Sequence, residues 1–309
     1  MNPRASSIPL RWLIAAIVVV LIGAVAWTAR SGFSSGKPPQ RPLVDDRGPR
    51  IVALSPALAI MLIDLGLSDR IVGRHGYDLA LDKSVPVCGD QSTTDYEALI
   101  GTGPTDILLE RGAGEVPPRM RSLAAANHWT ISEFPLLALD DIPAAIRRLG
   151  DMFHRTDDPA FADRVRRMSA AWSVPHAPIN AGRILLLESI DPPAALGPGS
   201  FHYQILQRIG GTPAITSGKP YMTLDAEDIL RMAPDGIILL MPRPPRTPAP
   251  PAPTVETLRT CLGRLGTLDI PALRRGHIAR IDDPYCLTPS TALLNFSEEL
   301  ERILKAWAS

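Results

Sequence analysis

The sequence predicts an α/β protein of two similar lobes, and three observations carry that expectation. Two stretches 130 positions apart share one template: Asp95 to Leu109 reads DYEALIGTGPTDILL, and Asp225 to Leu239 reads DAEDILRMAPDGIIL. Short apolar runs alternate with helical patterns, as a mostly parallel sheet covered on both faces requires. The segment RILLLE at Arg183 repeats the character of RIVAL at Arg50, so the chain opens an α/β unit twice. Its 309 residues suffice for two domains of ordinary size. A unit of this length used twice implies two lobes built alike rather than one continuous core.

Taken in order, Arg4 and Arg11 precede an uncharged, mostly apolar run from Leu13 to Ala29. Residues 1–30 therefore read as a signal peptide or a single membrane anchor, outside the fold. Ala24-Val25-Ala26 has the small-x-small pattern of a cleavage site, no cysteine follows for lipidation, and the expectation leans to an uncleaved anchor. Residues 31–49 mix Gly, Pro, Ser and charge without periodicity and form a tether. Everything from about residue 50 is expected outside the cytoplasmic membrane.

The first lobe spans 50–140. It starts with strand IVAL, then a helix capped by Ser55-Pro56 and closed by Gly66. A strand at 71–73, the first repeat, a glycine-rich loop from Arg111, a helix at 117–126 and a strand at 129–131 follow. Each repeat parses as a short helix opened by Asp95 or Asp225, stopped by Pro104 or Pro234, and followed by an apolar strand. Residues 141–175 are helical in composition, interrupted at Arg155–Pro159, and form a stiff link. The second lobe, 181–309, carries a helix at 200–209, the second repeat, a last strand at 277–281 and a last helix at 290–307. Between them, Met241 to Pro253 (MPRPPRTPAPPAP) fits neither strand nor helix interior. It reads as an exposed polyproline-like loop, with a ligand for a proline-binding domain as the sharper alternative.

Composition excludes several functions. Charge is balanced at 32 basic and 32 acidic residues, so no nucleic-acid partner is indicated. The three cysteines lack metal-ligand spacing. Their odd number allows at most one internal disulfide, with Cys261–Cys286 open to pairing and three free thiols the other outcome. The nucleophile-elbow pattern G-x-S-x-G occurs at Gly32 to Gly36, but within the tether rather than between a strand and a helix, and phosphate-loop, zinc-protease and dinucleotide motifs are absent. An enzyme is therefore not expected, and no catalytic residue, resident metal or cofactor is assigned.

The segments RIVALSPALAIMLIDLGLSDRIVG at 50–73, the two repeats, GPGSFHYQILQRIGG at 197–211 and GHIARID at 276–282 together resemble one family. It comprises the substrate-binding proteins of ABC importers for cobalamin, ferric siderophores and haem, and the resemblance covers about residues 50–307. It implies the fold of a class III periplasmic binding protein: α/β, two Rossmann-like lobes joined by a single long helix, with ligand in the cleft between them. It also implies a monomer whose partners are the permease subunits of the inner membrane and a small-molecule metal chelate, an iron–siderophore or corrinoid. A membrane-anchored sensor or scaffold that kept the fold is the alternative class, and a chelatase-like enzyme a more remote one.

By the same resemblance, one surface glutamate per lobe docks on the permease, and the matching residues are Glu97 and Glu227. Read without it, each is a helix N-terminal acid favoured by the helix dipole. The resemblance places Tyr77, Gln91 and Arg111 on the first lobe's side of the cleft, and Glu188, His202, Tyr221 and Tyr285 on the second. Gln91, Arg111 and Glu188 stand where cobalamin-binding members carry aromatic residues. Asp90 stands where haem-binding members carry a tyrosine ligand, which argues against haem. Arg111 would grip a ligand carboxylate or phosphate, or else pair with a neighbouring glutamate.

Overall fold

The computed structural model describes residues 48–309 apart from Gln91, 111–114 and 174–175. The signal or anchor segment and nearly all of the tether lie outside the described residues. Among the described residues, no helix is long and apolar enough to cross a membrane.

The first lobe is built on β1 (Ile51–Ala53), whose three residues are all buried. A central parallel strand is covered on both faces, so its sequence is a continuous apolar run. Helix α1 (Pro56–Asp64) starts as expected: the Ser55 hydroxyl accepts from Leu58 N–H, and Pro56 supplies the preset first turn. Every residue from Ala57 to Leu62 is buried, which makes α1 a core helix rather than a surface one. There follow β2 (Ile71–His75), β3 (Val87–Gly89), α2 (Tyr96–Thr102), β4 (Asp106–Glu110), α3 (Pro118–Asn127) and β5 (Thr130–Phe134). The strands are all parallel, in the order β3-β2-β1-β4-β5. Strand order reverses at β1, and such a switch point leaves a crevice at the carboxyl ends of β1 and β4.

The connection departs from the expected single helix over 141–175. It is divided into α4 (Asp141–Met152) and α5 (Pro159–Trp172). Pro159 cannot donate a backbone hydrogen bond, and it opens α5 with Asp158 as cap instead of continuing α4.

The second lobe contains β6 (Arg183–Ile190), β7 (Pro193–Leu196), α6 (Phe201–Arg208), β8 (Thr212–Pro213), β9 (Tyr221–Thr223) and α7 (Ala226–Met232). It ends with β10 (Gly236–Leu240), α8 (Val255–Cys261), α9 (Pro271–Arg275), β11 (Ile278–Ile281) and α10 (Leu293–Ala308). Its sheet runs β11-β10-β6-β7-β9, with β8 also on β6. Strands β11, β10 and β6 are parallel, whereas β7 and β9 are antiparallel additions. The lobes are thus alike at their centres and different at their edges.

The repeat keeps its register in three dimensions. Helices α2 and α7 both have seven residues, capped by Asp95 and Asp225 and ended by a left-handed residue, Gly103 (φ 53°) or Ala233 (φ 46°). Glycine adopts that conformation freely; for Ala233 it costs about 1 kcal/mol. Leu99 and Ile229 are buried at equivalent points, as are Ile107 and Ile237.

One expectation is overturned: the lobes do not have wholly separate cores. Alternate residues of the central strands point to opposite faces. Ile51 and Ala53 of β1, Ile184 and Leu186 of β6, and Ile238 and Leu240 of β10 all join one buried cluster. Helices α4 and α5 complete it with Ile146, Leu149, Phe161, Met168 and Trp172, and α10 adds Phe296, Leu300 and Leu304. The intervening residues, Val52 in β1 and Leu185, Leu187, Ile237 and Leu239 in β6 and β10, serve two outer cores, one per lobe. A polar fastening lies beside the shared core. Asp64, at the end of α1, accepts from the Thr291 hydroxyl of the second lobe and pairs with Arg164 of α5 at 3.1 Å. Cys88, Cys261 and Cys286 are free thiols, so the Cys261–Cys286 bridge is not formed.

Candidate functional site

Segments that follow strands of the two sheets touch each other at two places. The segment after β2 is touched by the loop after β10: Arg246 donates to Ala80 O at 3.4 Å and pairs with Asp82 at 3.6 Å. The segment after β5 meets α6, where Leu139 N–H donates to the Gln204 side chain at 3.2 Å and Arg208 pairs with Asp140 at 3.1 Å. The proline-rich segment is exposed, as expected, and Arg246 within it is the residue that reaches the other lobe.

Between these contacts, the switch point of the first lobe opens into a cavity of about 470 Å³. Its wall takes Ser55 from the end of β1, His75 from β2, Asp90 after β3, Glu110 from β4 and Glu133 from β5. Ser55 donates its hydroxyl to Glu110 Oε2 at 2.8 Å while its oxygen caps α1. The Asp90 carboxylate accepts from the backbone N–H groups of Ser92 and Thr93, which pull its pKa down to about 2. Burial lowers the pKa of His75 against the pull of Asp90 and Asp78, so its imidazole is neutral at pH 7. A smaller cavity of about 300 Å³ lies at the ends of β6 and β10, lined by Glu188, Asp191 and Met241 among others.

Of the sequence-assigned residues, Glu188 lines the smaller cavity, whereas Tyr77, Tyr221 and Tyr285 line neither. Tyr77 follows β2, is 71 % exposed, and donates its backbone N–H to His75 Nδ1 at 3.1 Å. Glu188 ends the buried part of β6, and burial raises its pKa. Tyr221, 59 % exposed, lies close enough that burial and then the Glu188 charge raise the pKa of its hydroxyl. Tyr285 follows β11; burial chiefly raises its pKa, and the charge of Asp78 adds to the rise. Gln91 and Arg111 lie outside the described residues.

His202 does not belong to the cleft. It is 3 % exposed, its ring packs edge-on against Phe296 at 4.9 Å, and Nε2–H donates to Cys286 O at 2.6 Å. Its place in the first turn of α6 made it a candidate, but that turn points into the shared core. Nδ1 is buried without a partner, and burial pushes the pKa down to about 4. The unfolded chain would take up a proton near pH 6.5 that the folded protein refuses until about pH 4. Stability from this group is thus full above pH 6.5 and is lost as pH falls, by roughly 3 kcal/mol across that interval. His202→Gln keeps a donor for Cys286 and should flatten the fall of the urea midpoint between about pH 7 and 5. An unchanged slope in the variant would assign the acid sensitivity elsewhere.

Glu97 and Glu227 occupy the second position of α2 and α7, one in each lobe, and both are exposed. One helical turn on, Ile100 (48 % exposed) and Leu230 (43 %) also face solvent, again at equivalent repeat positions. Each lobe thus presents an acid beside an aliphatic side chain.

His75, Glu110 and Glu133 were missed by the sequence reading. The strand at 71–73 runs on to His75, and a residue at the carboxyl end of a parallel strand is where an open α/β sheet places ligand groups. Extending that strand by two residues would have found His75.

No protein-family model matches the chain, and no curated protein matches it. Solved structures do. The periplasmic haem-binding protein BhuT in complex with two haems aligns with a TM-score of 0.63 at 19 % identity, over 85 % of this chain and 100 % of that one. The periplasmic vitamin B12-binding protein BtuF of Vibrio cholerae gives 0.60 at 19 %, over 84 % and 97 %. The apo haem-binding protein RhuT from Roseiflexus sp. RS-1 gives 0.59 at 20 %, over 85 % and 100 %. The fold is that of the class III periplasmic binding proteins, with two α/β lobes.

Proposed function

We propose that this chain, folded as a two-lobed periplasmic binding protein, is the extracytoplasmic substrate-binding component of an ABC importer. It captures a metal chelate, an iron–siderophore or corrinoid, between its lobes and hands it to a permease. The cavity at the first lobe's switch point carries this reading. Tyr77 and Tyr221 offer exposed ring faces to a large ligand, and Tyr285 joins them at the inter-lobe seam. Glu97 and Glu227 are the proposed permease contacts. Two carboxylates on a body with a shared core hold a fixed separation that arginines on a partner can recognise. No chemical step is assigned to the protein, because transport work would come from ATP hydrolysis on other subunits. The N-terminal segment, as signal peptide or anchor, would put the folded part outside the cytoplasmic membrane.

Mass spectrometry under non-denaturing conditions tests the reading, with the protein offered cobalamin, ferric siderophores and haem in turn. A one-to-one complex with a siderophore or corrinoid is the expected result. Retention of haem alone would replace the ligand class, and retention of none would overturn the capture role.

A further inference from the structure

The electrostatic character of the cavity at the first lobe's switch point points to a ligand class. Its described lining contains four carboxylates, Asp90, Glu110, Glu115 and Glu133, and no lysine or arginine. Glu115 is paired with Arg121 at 3.1 Å. Asp90 and Glu110 are satisfied by hydroxyls and backbone amides, which orient a carboxylate without cancelling its charge. The Glu133 carboxylate has no partner among the described residues. Arg111, next to Glu110 in the sequence, lies outside the described residues. The lining of the smaller cavity on the second lobe adds Glu188 and Asp191, again without a lysine or arginine. The carboxylates do not converge on a point: among the described residues no group of three could hold a bare metal ion. Their field therefore acts on a whole ligand.

A second observation comes from His75. It is 2 % exposed, and its ring lines the same cavity. Nδ1 accepts the Tyr77 backbone N–H at 3.1 Å, so the neutral ring carries its proton on Nε2. Nε2–H has no acceptor among the described residues. Nε2 is not sealed off from the cavity, where an acceptor atom on the ligand would take its hydrogen bond in place of water. In this tautomer His75 has no lone pair on Nε2 to offer a metal, so its role is donation.

We infer that the cleft selects a net-cationic, oxygen-ligated chelate, whose positive charge meets Asp90, Glu110 and Glu133 and whose oxygen atoms accept from His75 Nε2–H. This rests on the capture reading above and gives that ligand a charge.

Binding of three iron chelates of similar size to the full-length protein, followed by quenching of intrinsic fluorescence, decides the matter. The probes are ferrioxamine B (a cation), ferrichrome (neutral) and a ferric tris-catecholate (a trianion). The cation should bind tightest and the trianion at least ~100-fold more weakly, with the gap shrinking as salt is raised. Glu110→Gln with Glu133→Gln should narrow the gap, whereas His75→Phe should weaken all three without changing their order. Tightest binding of the trianion, or an order unmoved by the double substitution, would overturn the charge assignment and leave capture intact. Binding of none of the three would overturn the oxygen-ligated chelate and its charge assignment, while capture of a corrinoid or haem is decided by the mass spectrometry above.

Discussion

Reversing both proposed docking carboxylates, Glu97→Arg with Glu227→Arg, is expected to abolish delivery of ligand to the permease while leaving ligand affinity unchanged. The two residues sit on α2 and α7, exposed and outside both cavity linings, so the cleft does not depend on them. Losing one partner of a hydrogen-bonded charge pair at an interface costs about 2–5 kcal/mol. Two reversals also add repulsion, so the loss should exceed about 4 kcal/mol, or roughly 1,000-fold in docking affinity. Single reversals should give intermediate uptake, because each lobe contributes one acid and one aliphatic neighbour. Uptake of labelled chelate by cells carrying the permease, alongside calorimetry of chelate binding, separates the two effects. Undiminished uptake by the double variant would mean that the pair are no more than dipole-favoured helix residues.

Trp172→Ala is expected to destabilise the protein by about 3–5 kcal/mol and to do so in both lobes at once. Trp172 is 1 % exposed at the end of α5, in the cluster that contains residues of β1, β6 and β10. A cavity there borders both sheets, so neither lobe can unfold and leave the other's packing intact. Hydrogen exchange read strand by strand tests this, since local and global opening differ in free energy. Protection in β1 and β10 should fall by the same amount in the variant. A loss confined to the strands of one lobe would show that the lobes unfold independently despite the shared core.

The same continuity bears on motion. Closure around a ligand by hinge bending would have to slide α4, α5 and α10 through a close-packed core, which resists continuous deformation. Opening and closing should therefore be small and carried by the loops after β2 and β10, where Arg246 and Asp82 form an exposed pair.

Some features were legible because local chemistry determines them. Asp95 and Asp225 accept backbone amides, and Pro104 and Pro234 follow left-handed helix ends, so both repeat units are readable from their own residues. Strands β1, β6 and β10 declare themselves as uninterrupted apolar runs, since both faces are covered. Strands β3, β7 and β9 were not legible. They lie toward the sheet edges, are three or four residues long, and carry no clear apolar pattern. The Pro159 break was visible, but whether it kinked one helix or divided two was not.

For the site, the resemblance assigned Tyr77, Glu188, Tyr221 and Tyr285 to the cleft; Tyr77 and Tyr285 follow β2 and β11, Glu188 lies within β6, and Tyr221 opens β9. His202 had equal claim by sequence, yet the first turn of α6 carries it against Phe296 and away from the cleft. His75, Glu110 and Glu133 were invisible as a group because they come from three strands that meet only in the sheet. By itself, then, the sequence determined two α/β units, their paired glutamates and the caps that open their helices, all of which depend on residues within a few positions of one another. Only the tertiary structure decided that the lobes share a core, that His202 belongs to it, and that carboxylates from separate strands line one cavity. Those properties depend on which face of a strand or helix meets another element, and no local pattern encodes that.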